Sequence, residues 1–200
     1  RHNDCPDRHH CAPENDRESA ELGRVSGRVP ASAGEEFFEA LQKKYIQPGG
    51  RIMTGANVDQ HGNYTSNLTL FNCYVLPSPL DSRKAIVKDS LHQMVEVMSR
   101  GGGVGMSLSA LRPRYAYVKG VHGKSSGSVS WAGLFSYATG LIEQGGSRRG
   151  ALMLMQWDWH PDVIEFISAK TNAGQIENAN ISVMVSDDFM EAVKNNREWN

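Results

Sequence analysis

The chain has 200 residues, with 21 Lys plus Arg against 22 Asp plus Glu, a formal net charge of −1 and 40% hydrophobic residues. That is enough apolar material for one sizeable core, while the near-neutral balance excludes a global basic field for nucleic acid. No apolar run reaches the length of a bilayer span and no signal-peptide pattern opens the chain, so the expectation is a cytoplasmic protein without membrane contact.

Residues 1–31 are rich in charge, Pro, Ser and Gly, with few large apolar side chains, and are expected to form a disordered polar leader. Cys5, His9, His10 and Cys11 match no usual zinc spacing, so no metal is expected there. Cys5, Cys11 and Cys73 are the only cysteines, an odd count that argues against a disulfide framework. Residues 32–70 read as a helical opening segment and loop. Ser32 and Glu35 form a capping box ahead of Phe37, Phe38, Leu41 and Tyr45 on one helical face. The run Pro48-Gly49-Gly50 is expected to stop that helix.

From residue 71 the pattern alternates. Asn72 to Leu76 predicts a strand, and Val87, Leu91, Met94, Val95 and Met98 keep helical spacing until Gly101. Residues 103–108 predict a second strand, followed by a loop over 109–128 that is long enough to carry function. Trp131, Leu134, Phe135, Ala138, Leu141 and Ile142 predict an amphipathic helix. Residues 151–157 are apolar throughout and predict a strand covered on both faces. Pro161 is expected to open a helix with Val163, Ile164, Phe166 and Ile167 inward. Residues 180–185 alternate as a last strand, and Ser186 is placed to cap a last helix. Such alternation predicts an α/β fold with a mainly parallel sheet. Its ligand loops, beyond the carboxyl ends of the strands, are expected at 109–128 and 144–150.

Two glycine-rich stretches invite chemistry. In "EQGGSRRGALMLMQW" (143–157) a glycine pair precedes Arg148 and Arg149, which suggests a bending loop that offers a planar cation to an anion. In "RGGGVGMS" (100–107) the glycines precede a strand instead of a helix, so the stretch is neither a phosphate-binding loop nor a dinucleotide fingerprint. Its glycines either admit a ligand to the backbone or serve tight sheet packing. Cys73, inside an apolar strand, is expected to be buried, as packing cysteines usually are.

Taken together, "FNCYVLP" (71–77), "RGGGVGMSLSALRP" (100–113), "SSGSVSW" (125–131), "QGGSRRGALM" (144–153), "HPDVIEFISAK" (160–170) and "NANISVMVSDDFMEAV" (178–193) resemble the large subunit of ribonucleotide reductase. The wording of the last two blocks is most similar to the adenosylcobalamin-dependent, class II branch. The resemblance implies that residues 71–200 are the first half-barrel of a ten-stranded α/β barrel, with effector and substrate loops. The missing half would hold the radical cysteine and the second redox cysteine, so this polypeptide alone is expected to be inactive.

The resemblance further implies reduction of ribonucleoside diphosphates or triphosphates to deoxyribonucleotides for DNA synthesis, by thiyl-radical chemistry under nucleotide control. Cys73 matches the first member of the redox cysteine pair. Asn72 and Gly103 match substrate-holding positions, and Gln144 and Arg148 match the loop that reads the base. Asp81, Ser82, Arg112 and Lys119 fall where the family binds a deoxynucleotide effector near a dimer interface. Adenosylcobalamin, a thioredoxin-like dithiol reductant and a homodimer of the complete protein are implied in the same way. Two other readings stay open: a non-catalytic nucleotide sensor derived from this fold, and a glycyl-radical-type barrel.

Overall fold

The computed structural model describes residues 31–55, 59–63, 67–144, 148–171 and 175–199. The proposed leader, with Cys5, His9, His10 and Cys11, lies outside the described residues except for Ala31. The chain divides into two units, one ending at Pro48 and one starting at Gly49.

In the first unit, helix α1 runs Ala31–Gln42. It stops before the Pro-Gly-Gly run because Lys44 takes a left-handed φ of 59°. Its flanking amides close the end, Tyr45 N–H donating to Ala40 O at 2.9 Å and Lys44 N–H to Leu41 O at 3.0 Å. This is the helix-ending pattern usually built around glycine. Ser32 lies inside α1, not ahead of it.

The second unit is built on four parallel strands whose order across the sheet equals their order in the chain. They are β1 (Cys73–Val75), β2 (Gly103–Ser107), β7 (Leu152–Trp157) and β8 (Asn180–Met184). A short helix, α2 (Gly50–Gly55), precedes them where the sequence suggested only loop. Between β1 and β2 runs a π-helical stretch, Ala85–Leu91, that continues as α3 (His92–Ser99). The wider π turn shifts the inward face. Ile86 is therefore buried while Val87, expected inward, is exposed. Gly101 ends α3 at φ 86°.

Two small hairpins interrupt the alternation. β3 (Tyr117–Val118) pairs antiparallel with β4 (Gly123–Lys124) inside the long 109–128 segment. β5 (Glu143–Gln144) pairs with β6 (Arg148–Arg149) just ahead of β7. Between them α4 spans Ser128–Leu141. After β7 come α5 (Val163–Ser168) and, after β8, α6 (Asp187–Lys194).

The core lies on one face of the sheet only. Val104, Met106, Leu152 and Leu154 point to it and meet Met94, Met98, Phe135 and Phe166 from α3, α4 and α5. Burying each such side chain contributes about 1.5–3 kcal/mol. The opposite face carries Cys73, Val75, Gly105, Met153 and Asn180, and Val75 is 83% exposed. β7 is therefore covered on one face, not on both as its apolar run suggested; successive side chains alternate between the faces. Two helices also differ from expectation. α4 buries Ser128, Val129, Ala132, Phe135, Ser136 and Thr139 and leaves Leu141 67% exposed. α5 buries Phe166 but leaves Ile164 and Ile167 exposed. Ser186 caps α6 as expected, its Oγ accepting from Phe189 N–H at 3.2 Å.

Candidate functional site

The parallel register fixes what stands beside Cys73. Cys73 aligns with Gly103 across β1 and β2, and Gly103 N–H donates to Asn72 O at 2.8 Å. Val104 N–H donates to Ala151 O at 2.9 Å, which brings the start of β7 beside them. A Cβ built on Gly103 would lie 3.5 Å from Cys73 Sγ and 3.6 Å from the Ala151 methyl. The thiol and the Ala151 methyl are therefore exposed on the open face of the sheet at its amino edge, with the buried Gly103 backbone between them. Cys73 is exposed rather than buried. The reason is the open face: nothing among the described residues covers that side of β1.

The arginine loop meets the same edge. β5 and β6 pair Gln144 with Arg148 and Glu143 with Arg149, and the strand leads through Gly150 into Ala151. Gly150 N–H donates to Ile142 O at 3.1 Å, closing the hairpin base. Residues 145–147 and the side chains of Gln144 and Arg148 lie outside the described residues. This hairpin enters β7 at its amino end, so it does not lie beyond a strand carboxyl end as the topology rule suggested. Beside it opens a cleft of about 310 Å³, lined in part by Arg149, Glu177, Asn178 and Asn180.

The remaining predicted residues gather at the opposite, carboxyl edge. Asp81 and Ser82 follow β1, and Arg112 and Lys119 follow β2. Arg112 Nε donates to Asp81 Oδ2 at 2.7 Å, and its other nitrogens reach the carbonyls of Asp81 and Tyr117 at 3.4 and 3.5 Å. Ser82 is a local cap, its Oγ accepting from Ala85 N–H at 3.1 Å. Lys119 is exposed in the turn between β3 and β4, in no ion pair among the described residues. Segment 109–128 contains Arg112, Arg114, Lys119 and Lys124 and no acidic residue, and Arg112 and Arg114 pair with Asp81 and Glu165 from other segments. Arg114 and Lys124 flank the Tyr115 ring at 5.1 and 5.8 Å. The hydrogen bond that Arg114 Nη1–H donates to Glu165 Oε1 at 2.9 Å, then the Glu165 charge, raise the Arg114 guanidinium above its already high value.

The sequence reading missed the residues that anchor this segment. His160 Nε2–H donates to Leu111 O at 2.8 Å, while His160 Nδ1 accepts from Asp162 N–H at 3.0 Å and from Gln156. The Asp162 carboxylate accepts from the Arg114 and Ser128 amides and from the Ser128 hydroxyl. The only signal in the sequence was "HPD", read as a helix start.

The grouping is thus two-sided: Asn72, Cys73, Gly103 and the Gln144–Arg148 hairpin at one edge, and Asp81, Ser82, Arg112 and Lys119 at the other. No group of His, Cys, Asp and Glu able to hold a metal ion occurs among the described residues, and no helix among them is long and apolar enough to cross a membrane.

Comparison with known proteins gives these edges a family. The vitamin B12-dependent ribonucleoside-diphosphate reductase of Mycobacterium tuberculosis is 39% identical over 184 residues, covering 89% of this chain and 26% of that protein. The protein of the same name from Thermoplasma acidophilum is 35% identical over 180 residues, covering 80% of this chain and 22% of its own length. The ribonucleoside-diphosphate reductase large subunit of Dictyostelium discoideum is 29% identical, over 86% of this chain and 20% of that one. The chain therefore spans about a quarter or less of the length of these relatives. Among solved structures, the alpha subunit of the Actinobacillus ureae class Id ribonucleotide reductase superposes with a TM-score of 0.69. That match has 22% identity and covers 92% of this chain and 32% of that one, a likeness of fold. The sequence model described as "Ribonucleotide reductase, barrel domain" matches residues 71–200. That match begins two residues before Cys73 and takes in all four parallel strands, so the chain belongs to the ribonucleotide reductase large-subunit family and carries part of its barrel domain.

Proposed function

We propose that this chain supplies one wall of a nucleotide-reducing chamber, with Cys73 as one member of the redox cysteine pair. The observation that carries the proposal is the position of the exposed Cys73 thiol on the open face of the sheet, its Sγ 3.5 Å from where a Cβ of Gly103 would stand. A ribose laid on that face would meet a thiol at one end and no side chain at Gly103, which allows close approach to the backbone. In the reaction the family implies, a thiyl radical elsewhere in the barrel removes the ribose 3′-hydrogen and later returns it. The 2′-hydroxyl leaves as water, and two thiols become a disulfide, supplying the two electrons. An external dithiol protein then re-reduces that disulfide by exchange.

Asn72, with its carbonyl committed to the Gly103 amide, fixes the approach of β1 to β2. Gln144 and Arg148 in the β5–β6 hairpin would read the base and an anionic group of the same substrate. Asp81, Ser82, Arg112 and Lys119 would form a separate deoxynucleotide effector site at the carboxyl edge, with effector binding coupled to a homodimer. The dependence on adenosylcobalamin rests on the relatives named vitamin B12-dependent. The open face around Cys73 carries Val75, Ala151 and Met153, apolar side chains that would not by themselves hold a corrinoid.

The test is reduction of ribonucleoside diphosphates and triphosphates by the full encoded protein, with a dithiol reductant, with and without adenosylcobalamin. Turnover that requires Cys73 supports the proposal. Deoxynucleotide binding without any reduction would favour a sensor instead. Reduction that needs a metal-containing partner subunit and ignores adenosylcobalamin would overturn the cofactor assignment.

A further inference from the structure

We propose that Asp162 is the positioning residue of the carboxyl-edge nucleotide site, acting as a clasp on both ends of the 114–127 arm; this rests on the effector reading given above. The arm leaves the body at Arg114 and returns at Ser128. Its two flanks pair along the way, Tyr115 N–H donating to Ser125 O at 2.9 Å and Ser125 N–H to Ala116 O at 2.8 Å. One buried carboxylate receives both ends. Arg114 N–H lies 3.0 and 3.1 Å from the two Asp162 oxygens. Ser128 N–H and Ser128 Oγ–H donate to Asp162 Oδ2 at 3.0 and 3.1 Å.

The Ser128 amide opens α4, and Gly127 ahead of it has no side chain to cap the helix. Asp162 thus caps α4 from a distant segment, with its charge at the positive end of the helix dipole. Gly127 makes room for this. It sits at φ 87°, and a Cβ there would lie 2.8 Å from Asp162 Oδ2 and 3.0 Å from the Arg114 amide. Asp162 is itself held. Its amide donates to His160 Nδ1 at 3.0 Å, and Gln156 Nε2 donates to the Ser128 hydroxyl at 3.0 Å.

Beyond the clasp the arm is held to the body through exposed contacts, Arg114 Nη1–H donating to Glu165 Oε1 at 2.9 Å, Ser130 Oγ–H to Ser126 O at 2.9 Å and Arg112 Nη1–H to Tyr117 O at 3.5 Å. Its tip carries Lys119, and its stem follows Arg112, whose partner Asp81 lies on a different loop. A released arm would sample many positions, so ligand affinity would fall by the fraction of time spent in the competent one. The sign of the effect separates this idea from simple electrostatics. Asp162→Asn removes a negative charge beneath a basic arm, so charge alone would tighten binding of a triphosphate. Loss of the clasp would weaken it.

The experiment compares the full encoded protein with its Asp162→Asn and Gly127→Ala variants. Gly127→Ala attacks the clasp from the arm side and leaves the buried carboxylate in place. Amide hydrogen exchange should accelerate at Arg114, Ser128 and across 115–126 in both variants, while β7 and the α4 interior stay protected. Affinity for the four deoxynucleoside triphosphates, measured by calorimetry, should fall about tenfold. Unchanged or tighter binding in a variant whose β7 remains protected overturns the proposal, as does unchanged exchange across the arm. If the unsubstituted protein binds no deoxynucleoside triphosphate, the effector reading fails and this proposal fails with it. If it binds them and both variants bind equally well, the clasp alone is wrong.

Discussion

Arg112 and Asp81 join two loops that follow different strands, the guanidinium Nε standing 2.7 Å from a carboxylate oxygen. Both side chains are about one-third exposed, so the pair contributes less than about 1 kcal/mol to stability. In the proposed effector site the pair would hold a cation ready. Arg112→Ala should therefore weaken deoxynucleotide binding about tenfold and leave thermal unfolding almost unchanged. Calorimetry showing unaltered affinity would remove Arg112 from the site.

The turn at 59–63 should loosen in acid. Asp59 accepts from the amides of His61 and Asn63 at 2.8 and 2.9 Å. Those bonds, the Asn63 amide first, hold its carboxyl below the usual 3.8. A depressed folded-state value means the turn's stabilisation is complete above the unfolded value and disappears as pH falls through the lower folded one. The His61 and Asn63 amide resonances should therefore titrate with a midpoint below 3.8. A midpoint at or above that value would show the carboxylate bonds to be absent in solution.

Ser186 should be worth more than an exposed serine. It caps α6 through Phe189 N–H, and its own hydroxyl donates to Asp158 Oδ2 at 2.8 Å. Ser186→Ala removes the cap and one of the two hydrogen bonds to Asp158 Oδ2, the Ser186 amide at 3.0 Å remaining, a loss of about 1 kcal/mol. Asp158 Oδ1 is buried with no partner among the described residues, so after the substitution the carboxylate is held through the Ser186 amide at Oδ2. Denaturant unfolding with a shift below about 0.5 kcal/mol would contradict this account.

The alternation of strands and helices and the cap at Ser186 were legible because period and capping chemistry are local. The one-sided burial of β7 was not, since a run such as "ALMLMQW" looks the same whether one face or two are covered. The inward phase of the helix after β1 was lost because a π turn cannot be seen in spacing tuned to 3.6 residues. At the site, the motif blocks located Cys73 and Gly103, and the register then brought them together. The clasp at Asp162 stayed hidden because its partners, Arg114 and Ser128, lie 48 and 34 residues away in sequence.

Position 103 gives the sharpest test of the chamber wall. A Cβ there would lie 3.4 Å from Asn72 O and 3.5 Å from Cys73 Sγ, so Gly103→Ala fits with ordinary contacts and should fold normally. Gly103 is itself buried, and a larger side chain would extend from that Cβ past Cys73 Sγ and the Ala151 methyl. Gly103→Leu should therefore raise the substrate KM by about tenfold or more, because the bulk would crowd the thiol beside which a ribose is proposed to lie. Cys73→Ser should have the complementary effect: substrate binding kept, multiple turnover with a dithiol reductant lost, and stability little changed because the side chain is exposed. Steady-state kinetics on the two variants separate steric blocking from loss of electrons. If Gly103→Leu left KM unchanged, or if Cys73→Ser sustained turnover, the open face of β1 and β2 would not be where the nucleotide binds.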